Sequence, residues 1–195
     1  MKKYWSLFLY FIKKPENVFI SLSLLFGVLS AILVPQLSVS DENMHYMRAY
    51  GISQGRVESN SPCTLPKDVI KRAEAVYEGN FSADYSKPID RNIIDVHKCS
   101  SASGYPPIMH LPQTIGIGIA SLFNGSTGLT ILFGRLANVL FYSITVYLII
   151  KWVRIGKWVF TVIGLIPLMI HMAASLSSDC MTNVAVFTIT AFTLN

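Results

Sequence analysis

Two adjacent carboxylates, Asp41 and Glu42, follow directly on a long apolar run that ends near Leu37. On a helix, Asp41, His45 and Arg48 are spaced i, i+4 and i+7, so an acid, an imidazole and a guanidinium share one face. Such groups can accept a proton and bind a phosphate. We therefore treat this stretch as the candidate site and ask which elements would position it.

Each of these residues also has a structural interpretation. The two acids could begin a helix and complement its dipole. His45 could be a hydrogen-bonded interfacial residue, and Arg48 could anchor a lipid phosphate instead of a substrate phosphate. Because ionisable groups at membrane depth are costly and often functional, the sequence favours a functional role for Asp41 and leaves Glu42 open.

The composition is that of an integral membrane protein with one sizeable polar loop. Of the 195 residues, 52% are hydrophobic and 14% are charged, whereas an ordinary soluble domain carries about 25% charged residues. Nine of the eleven acids fall between residues 40 and 99. The net charge of +5 comes from basic residues that flank the apolar runs, as the positive-inside rule expects. It indicates a lipid bilayer as partner and no nucleic acid.

The apolar runs predict an all-α integral membrane fold, a polytopic helical bundle with a large first external loop. Residues 1–16 mix aromatics with lysines, which predicts a cytoplasmic interfacial helix. A cleaved signal peptide is the alternative, but the region before the apolar run is too long and no cleavage site follows it. Residues 17–39 supply the first span, because about 20 apolar residues cross a bilayer core. Lys13 and Lys14 place its start in the cytoplasm, so Asp41 emerges outside.

Residues 40–127 form the predicted external loop. We expect short membrane-surface helices at 43–54 and 66–77, the second with Thr64 as its N-cap, and loop structure elsewhere. The apolar run at 114–123 has about half the residues that a span needs. Counting it as a span would also place the next basic cluster outside, so we predict a re-entrant or surface helix there.

The rest of the chain predicts spans at 128–150 and 158–176, joined by a cytoplasmic loop at 151–157. An external turn at 177–180 then leads into residues 181–195, the start of a fourth span that does not reach full length. We therefore expect this sequence to be the N-terminal part of a longer protein.

This topology brings Asp179 to the same external face as Asp41 and Glu42. Asp179 could also be ordinary loop polarity. Arg135, near the outer end of the second span, could snorkel to the interface or contact a phosphate, and we favour the phosphate. His110 is interpreted as structural, because the double proline before it chiefly sets an extended backbone.

Three cysteines are present, and two of them fall in the predicted external loop. A disulfide between Cys63 and Cys99 would close a loop of about 37 residues and stabilise the fold by about 3–4 kcal/mol. Two free thiols are an equally good interpretation. Cys180 is expected to be a packing residue, and no spacing of His and Cys predicts a zinc site.

Several motifs occur in order along nearly the whole chain: Pro35, Asp41-Glu42-x-x-His45-Tyr46-x-Arg48-Ala49-Tyr50-Gly51, Tyr105-Pro106-Pro107, Arg135-Leu136-x-Asn138 and Ser178-Asp179. In this combination the chain resembles a family of bacterial predicted membrane proteins, domain of unknown function 2142. It is also similar to the GT-C clan of polyprenyl-phosphate-sugar glycosyltransferases. The resemblance implies the N-terminal part of a GT-C-like fold in the bacterial inner membrane. The N-terminus would be cytoplasmic and the large loop periplasmic or extracellular.

The resemblance also implies a reaction. A sugar would pass, with inversion, from a polyprenyl-phosphate donor to a glycan or lipid acceptor on the outer face, with Asp41 and Glu42 as the catalytic acids. Substrate binding would fall to His45, Arg48, Arg135 and Asp179. The acid that Asp179 matches helps to hold a divalent metal in some members of the clan, which makes Mg²⁺ or Mn²⁺ the metal to test. The sequence itself offers no dense acidic metal motif.

Two other classes of protein would also place acidic and basic groups at the membrane face. One is a transporter or flippase component that moves a lipid-linked sugar without chemistry. The other is a structural membrane subunit whose external loop binds a partner.

Overall fold

The computed structural model describes residues 13–57, 63–97 and 101–195 of a mostly helical chain. Most of the interfacial helix expected over 1–16, together with Cys99, lies outside these residues. The helices are α1 Pro15–Leu33, α2 Glu42–Ser53, α3 Lys67–Glu74, α4 Leu111–Leu122, α5 Thr127–Trp152, α6 Lys157–Gly164, α7 Pro167–Ala173 and α8 Asp179–Leu194. Short 3-10 turns cover Ala75–Glu78, Ser101–Gly104 and Pro107–His110, and the strands are β1 Cys63–Pro66 and β2 Ile94–His97.

The two long apolar helices, α1 and α5, pack along each other. They meet closely because Gly27 has no side chain: a Cβ there would lie 2.7 Å from Cγ1 of Val139. Helix α1 begins with Pro15 at its first position, where the missing N–H costs nothing. It ends at Leu33, and the next residue, Val34, has the extended backbone that is favoured before Pro35.

Helix α4 lies against the first half of α5. The contact depends on Gly116, since a Cβ at that position would collide with the carbonyl of Phe133. Its 12 residues are too few to cross a bilayer core, which needs about 20. The short helix expected over 114–123 is therefore present, and its depth in the membrane stays a prediction.

The segment expected to form one span at 158–176 is divided into α6 and α7. Pro167 explains the division, because the residue before a proline is held out of the helical region and Ile166 is extended, with ψ of 133°. The last helix, α8, buries Cys180, Val184, Phe187 and Ala191 as one stripe, and it packs on α5.

The segment predicted to be the external loop, residues 40–127, is more structured than the sequence indicates. Helix α2 matches the prediction, and α3 continues into a 3-10 turn over the rest of its predicted range. Thr64 does not cap α3, since it lies in β1, which pairs antiparallel with β2 with Cys63 opposite His97. A strand of four residues has too short a pattern for sequence reasoning to detect. The fold is thus mostly helical with one two-stranded ribbon.

Candidate functional site

The centre of the structure is an ion pair between Glu42 and Arg135, both 0% exposed. The pair is bidentate: Nε of Arg135 donates to Oε1 of Glu42 at 2.7 Å, and Nη2 donates to Oε2 at 2.6 Å. The same guanidinium donates to the carbonyls of Val34 at 2.8 Å, Pro35 at 2.9 Å and Ala31 at 3.3 Å. It thereby supplies donors that the last turn of α1 cannot find within its own helix.

Glu42 is bound on its other side as well. The backbone N–H of Leu176 donates to Oε1 of Glu42 at 3.1 Å, which ties the segment before α8 to the start of α2. Two buried side-chain amides also bind this segment. Asn138 donates to the carbonyl of Ser175 at 2.7 Å, and Gln113 donates to the carbonyl of Leu176 at 3.2 Å. The position of Asp179 is therefore set by α2, α4 and α5 together.

This geometry argues against two of the roles expected from the sequence. Glu42 was expected to be catalytic and Arg135 to bind substrate, but each occupies the other and neither has surface that a ligand can reach. A buried pair of this kind is retained because removing one partner leaves an uncompensated charge. We infer that the Glu42–Arg135 pair holds α1, α2 and α5 together.

Asp41 differs from its neighbour because its side chain is exposed. Its backbone is in the left-handed region, with φ of +56°, which Asp tolerates better than most residues. The Asp41 carbonyl accepts the N–H groups of Met44 and His45, and its side chain makes no capping bond to α2. A carboxylate that does not cap its helix is available for chemistry.

His45 and His110 form a second buried pair, at 7% and 0% exposure. Nδ1 of His45 lies 3.0 Å from Nε2 of His110. Burial, together with the charges of His45 and Arg48, lowers the pKa of His110 to about 4. Burial also lowers the pKa of His45, against the opposing charges of Asp179, Asp41 and Glu42. Both rings are therefore neutral at pH 7, and one nitrogen of the 3.0 Å pair donates while the other accepts.

Asp179 completes the cluster at the start of α8, where its side chain is exposed. Of the three carboxylates that raise the pKa of His45, Asp179 has the largest effect. The 3-10 turn that carries His110 also contacts α8. Asp41 and Asp179, which are far apart in the sequence, thus both act on His45 through their charges.

Arg48 and Tyr105 border the two histidines. Nη2 of Arg48 donates to the carbonyl of Val57 at 3.0 Å, and burial lowers the pKa of its guanidinium. The ring of Tyr105 is 5.8 Å from that of His45 and 6.3 Å from that of His110, measured between centroids.

Sequence reasoning assigned His110 to structure and so missed it as a member of the site. The signal was weak, since 65 residues separate it from His45. The only local indication was the Tyr-Pro-Pro motif before it, which places the ring of Tyr105 and the 3-10 turn together.

The sequence also raised a divalent metal at Asp179 and a disulfide between Cys63 and Cys99. Across residues 13–57, 63–97 and 101–195, no three His, Cys, Asp or Glu side chains are grouped as metal ligands would be. Cys63 takes part in a disulfide, whereas Cys180 is a buried free thiol. Cys99 lies outside the described residues, so the pairing of Cys63 with Cys99 stays a prediction.

The fold and the site together define a mostly helical protein of the membrane class. In the described part of the chain, α1 and α5 are long and apolar enough to cross a membrane, judged by length and composition. The chain belongs to the predicted membrane protein family known as domain of unknown function 2142, whose model matches residues 24–195. This match confirms the family resemblance found in the sequence. Comparison with curated proteins and with solved structures gave no match.

Proposed function

We propose that this chain forms the N-terminal part of a GT-C-like membrane glycosyltransferase. It would transfer a sugar from a polyprenyl-phosphate donor to a glycan or lipid acceptor on the outer face of the bacterial inner membrane. The observation that carries the proposal is that two exposed carboxylates, Asp41 and Asp179, both act through their charges on His45, whose Nδ1 lies 3.0 Å from Nε2 of His110. This cluster lies just beyond the end of α1, where a lipid-borne donor would present its sugar phosphate.

Asp41 is the general base in this proposal. Its carboxylate takes the proton of an acceptor hydroxyl, directly or through one water. The acceptor oxygen then forms a bond to the anomeric carbon while the bond from that carbon to the phosphate oxygen breaks. Polyprenyl phosphate leaves with the electron pair, and attack from the opposite side inverts the configuration. An exposed carboxylate with no capping bond suits this task.

The neighbouring residues orient the substrates. His45 is bonded through Nδ1 to His110, which leaves Nε2 for a substrate hydroxyl. Asp179 accepts a hydrogen bond from a second hydroxyl of the acceptor or the donor sugar. The negative charge on the departing phosphate needs a cation, and Arg48 provides it because Glu42 already occupies Arg135.

The test compares Asp41→Asn with Asp95→Asn, a change at an exposed acid in β2. Transfer of labelled sugar from a polyprenyl-phosphate donor to cell-envelope glycan is measured with the full-length protein. We expect Asp41→Asn to reduce transfer by about 10²- to 10⁴-fold, the usual contribution of a general base. Asp95→Asn should leave transfer unchanged, and donor binding and thermal stability should be retained in both.

Undiminished transfer by Asp41→Asn would show that the base is assigned wrongly. If the intact protein moves a lipid-linked sugar across vesicles and transfers none of it, the transporter interpretation replaces the enzyme. If it does neither, the structural subunit interpretation remains.

A further inference from the structure

A polar groove on the external part of the molecule lies apart from the cluster described above. It has a volume of about 350 Å³, between α3, the loop that follows it and the start of α5. None of Asp41, His45, His110 and Asp179 lines it. Its polar lining includes Lys71, Arg72, Asn80, Ser82, Lys87 and Thr127. The volume is at the lower end of the range of small-molecule sites, about 300–1,000 Å³.

Arg72 is the unusual residue of this groove, because it is a buried cation without an anionic partner. Its side chain is 8% exposed. Nη1 donates to the carbonyl of Asn80 at 3.2 Å and Nη2 to that of Gln36 at 3.1 Å, while Nε has no hydrogen-bond partner. Among the ion pairs of the described residues, none involves Arg72. Arg135, which is buried completely, has a carboxylate partner, whereas Arg72 at 8% exposure has none within ion-pair distance, and the contrast points to a missing anion at Arg72.

The other charges around the groove leave this cation uncompensated. Lys71 adds a second positive charge, and Lys87, 67% exposed, makes only a 3.6 Å contact with Asp68. Asp68 also accepts the backbone N–H of Asp90 at 3.0 Å. Asp84 is occupied by its own loop, since Oδ1 accepts both the N–H and the hydroxyl of Ser86. The groove is therefore lined by three cations, Lys71, Arg72 and Lys87, and by two carboxylates, Asp68 and Asp84, that already have other partners.

The wall of the groove is built into the fold. The N–H of Gly128, at the start of α5, donates to the carbonyl of Asp84 at 2.9 Å, and a Cβ on Gly128 would lie 2.6 Å from that oxygen. Gln36 donates to the carbonyl of Gly128 at 2.9 Å and to the hydroxyl of Tyr85 at 3.0 Å. The loop is thus fixed to the ends of α1 and α5, which holds the groove in shape.

We propose that this groove binds a polyhydroxylated ligand that carries an oxyanion, the chemistry of an acidic sugar. Arg72, Lys71 and Lys87 bind the carboxylate or phosphate of the ligand. Asn80, Ser82 and Thr127 supply hydrogen-bond partners for its hydroxyls. The site is independent of the proposed glycosyl transfer, because it uses none of the residues assigned to that reaction.

The experiment measures binding to the purified full chain in neutral detergent by calorimetry. Three probes are used: a tetramer of galacturonic acid, glucose 6-phosphate, and maltotetraose as the neutral sugar. We expect saturable binding of at least one anionic probe, weaker at high salt because exposed charges are screened, and no binding of maltotetraose. The anionic probe that binds identifies the oxyanion as carboxylate or phosphate.

Variants then locate the binding. Lys71→Gln and Lys87→Gln should each weaken binding by about threefold, and together by about tenfold. Lys67→Gln is the matched control, since Lys67 is on the same helix and does not line the groove. Arg72→Gln should abolish binding where the variant retains its melting temperature. Failure of both anions to bind, equal binding of maltotetraose, or full binding by the double lysine variant would each overturn the proposal.

Discussion

At the scale of single residues, two carboxylates that are adjacent in the chain lie in different surroundings. Asp41 is exposed and makes no capping bond, whereas Glu42 is 0% exposed and bound to Arg135. The left-handed backbone at Asp41 turns the chain between the two. A sequence shows that both acids are present, but it cannot show which one meets an arginine 93 positions later. Only tertiary packing buries one acid against an arginine and leaves the other exposed.

His110 gives a prediction for acid stability. Because its folded-state pKa of about 4 lies below the ordinary value of 6.5, the unfolded chain binds more protons between those pH values. Stability from the neutral ring is thus complete above pH 6.5 and is lost as the pH falls towards 4. We expect a loss of about 1 kcal/mol per pH unit in that range. His110→Gln should remove this loss, measured by thermal melting at a series of pH values. Parallel pH profiles for the two proteins would contradict the assignment.

At the scale of elements, the Glu42–Arg135 pair joins α1, α2, α5 and the segment before α8. We expect Glu42→Gln or Arg135→Met to destabilise the protein by about 3–5 kcal/mol, because each leaves one buried charge without its partner. The melting temperature in detergent should fall by about 10 °C. The double variant should be less destabilised than the sum of the two. Glu78→Gln, at an exposed acid, is the control.

The opposite outcome is also informative at this scale. If Glu42→Gln kept its melting temperature and lost sugar transfer, Glu42 would return to the catalytic role that the sequence suggested.

Some helices could be predicted from the sequence, whereas the break at Pro167 and the two-stranded ribbon were not predicted. Helices α1 and α5 followed from long apolar runs, and α2 from its position after α1. Pro167 indicated the break between α6 and α7, but counting apolar residues along the segment does not detect a helix-breaking proline. The ribbon of β1 and β2 was missed because its partners are distant in sequence, with Leu65 opposite Asp95. Pairing over such a distance leaves no local pattern.

At the scale of the whole molecule, the proposed orientation can be tested with two single cysteines. Ser86→Cys is in the exposed loop beside the polar groove, and Ile155→Cys is in the turn between α5 and α6. A maleimide that does not cross membranes should label Ser86→Cys in spheroplasts, and Ile155→Cys only after permeabilisation. The positive-inside rule gives this direction, because Lys151, Arg154 and Lys157 surround the second position. The reverse pattern of labelling would invert the proposed topology and move Asp41 to the cytoplasm.

The Glu42–Arg135 pair has a further consequence for the order in which the protein is assembled. Glu42 is synthesised 93 residues before Arg135, so a carboxylate emerges with no partner and keeps its shell of water. The last carbonyls of α1 likewise lack the hydrogen bonds from Arg135 until that residue has been synthesised. Helix α2 can therefore take its final position only after Arg135 of α5 has been synthesised. The end of α1 is likewise fixed by a side chain from a helix that is made much later.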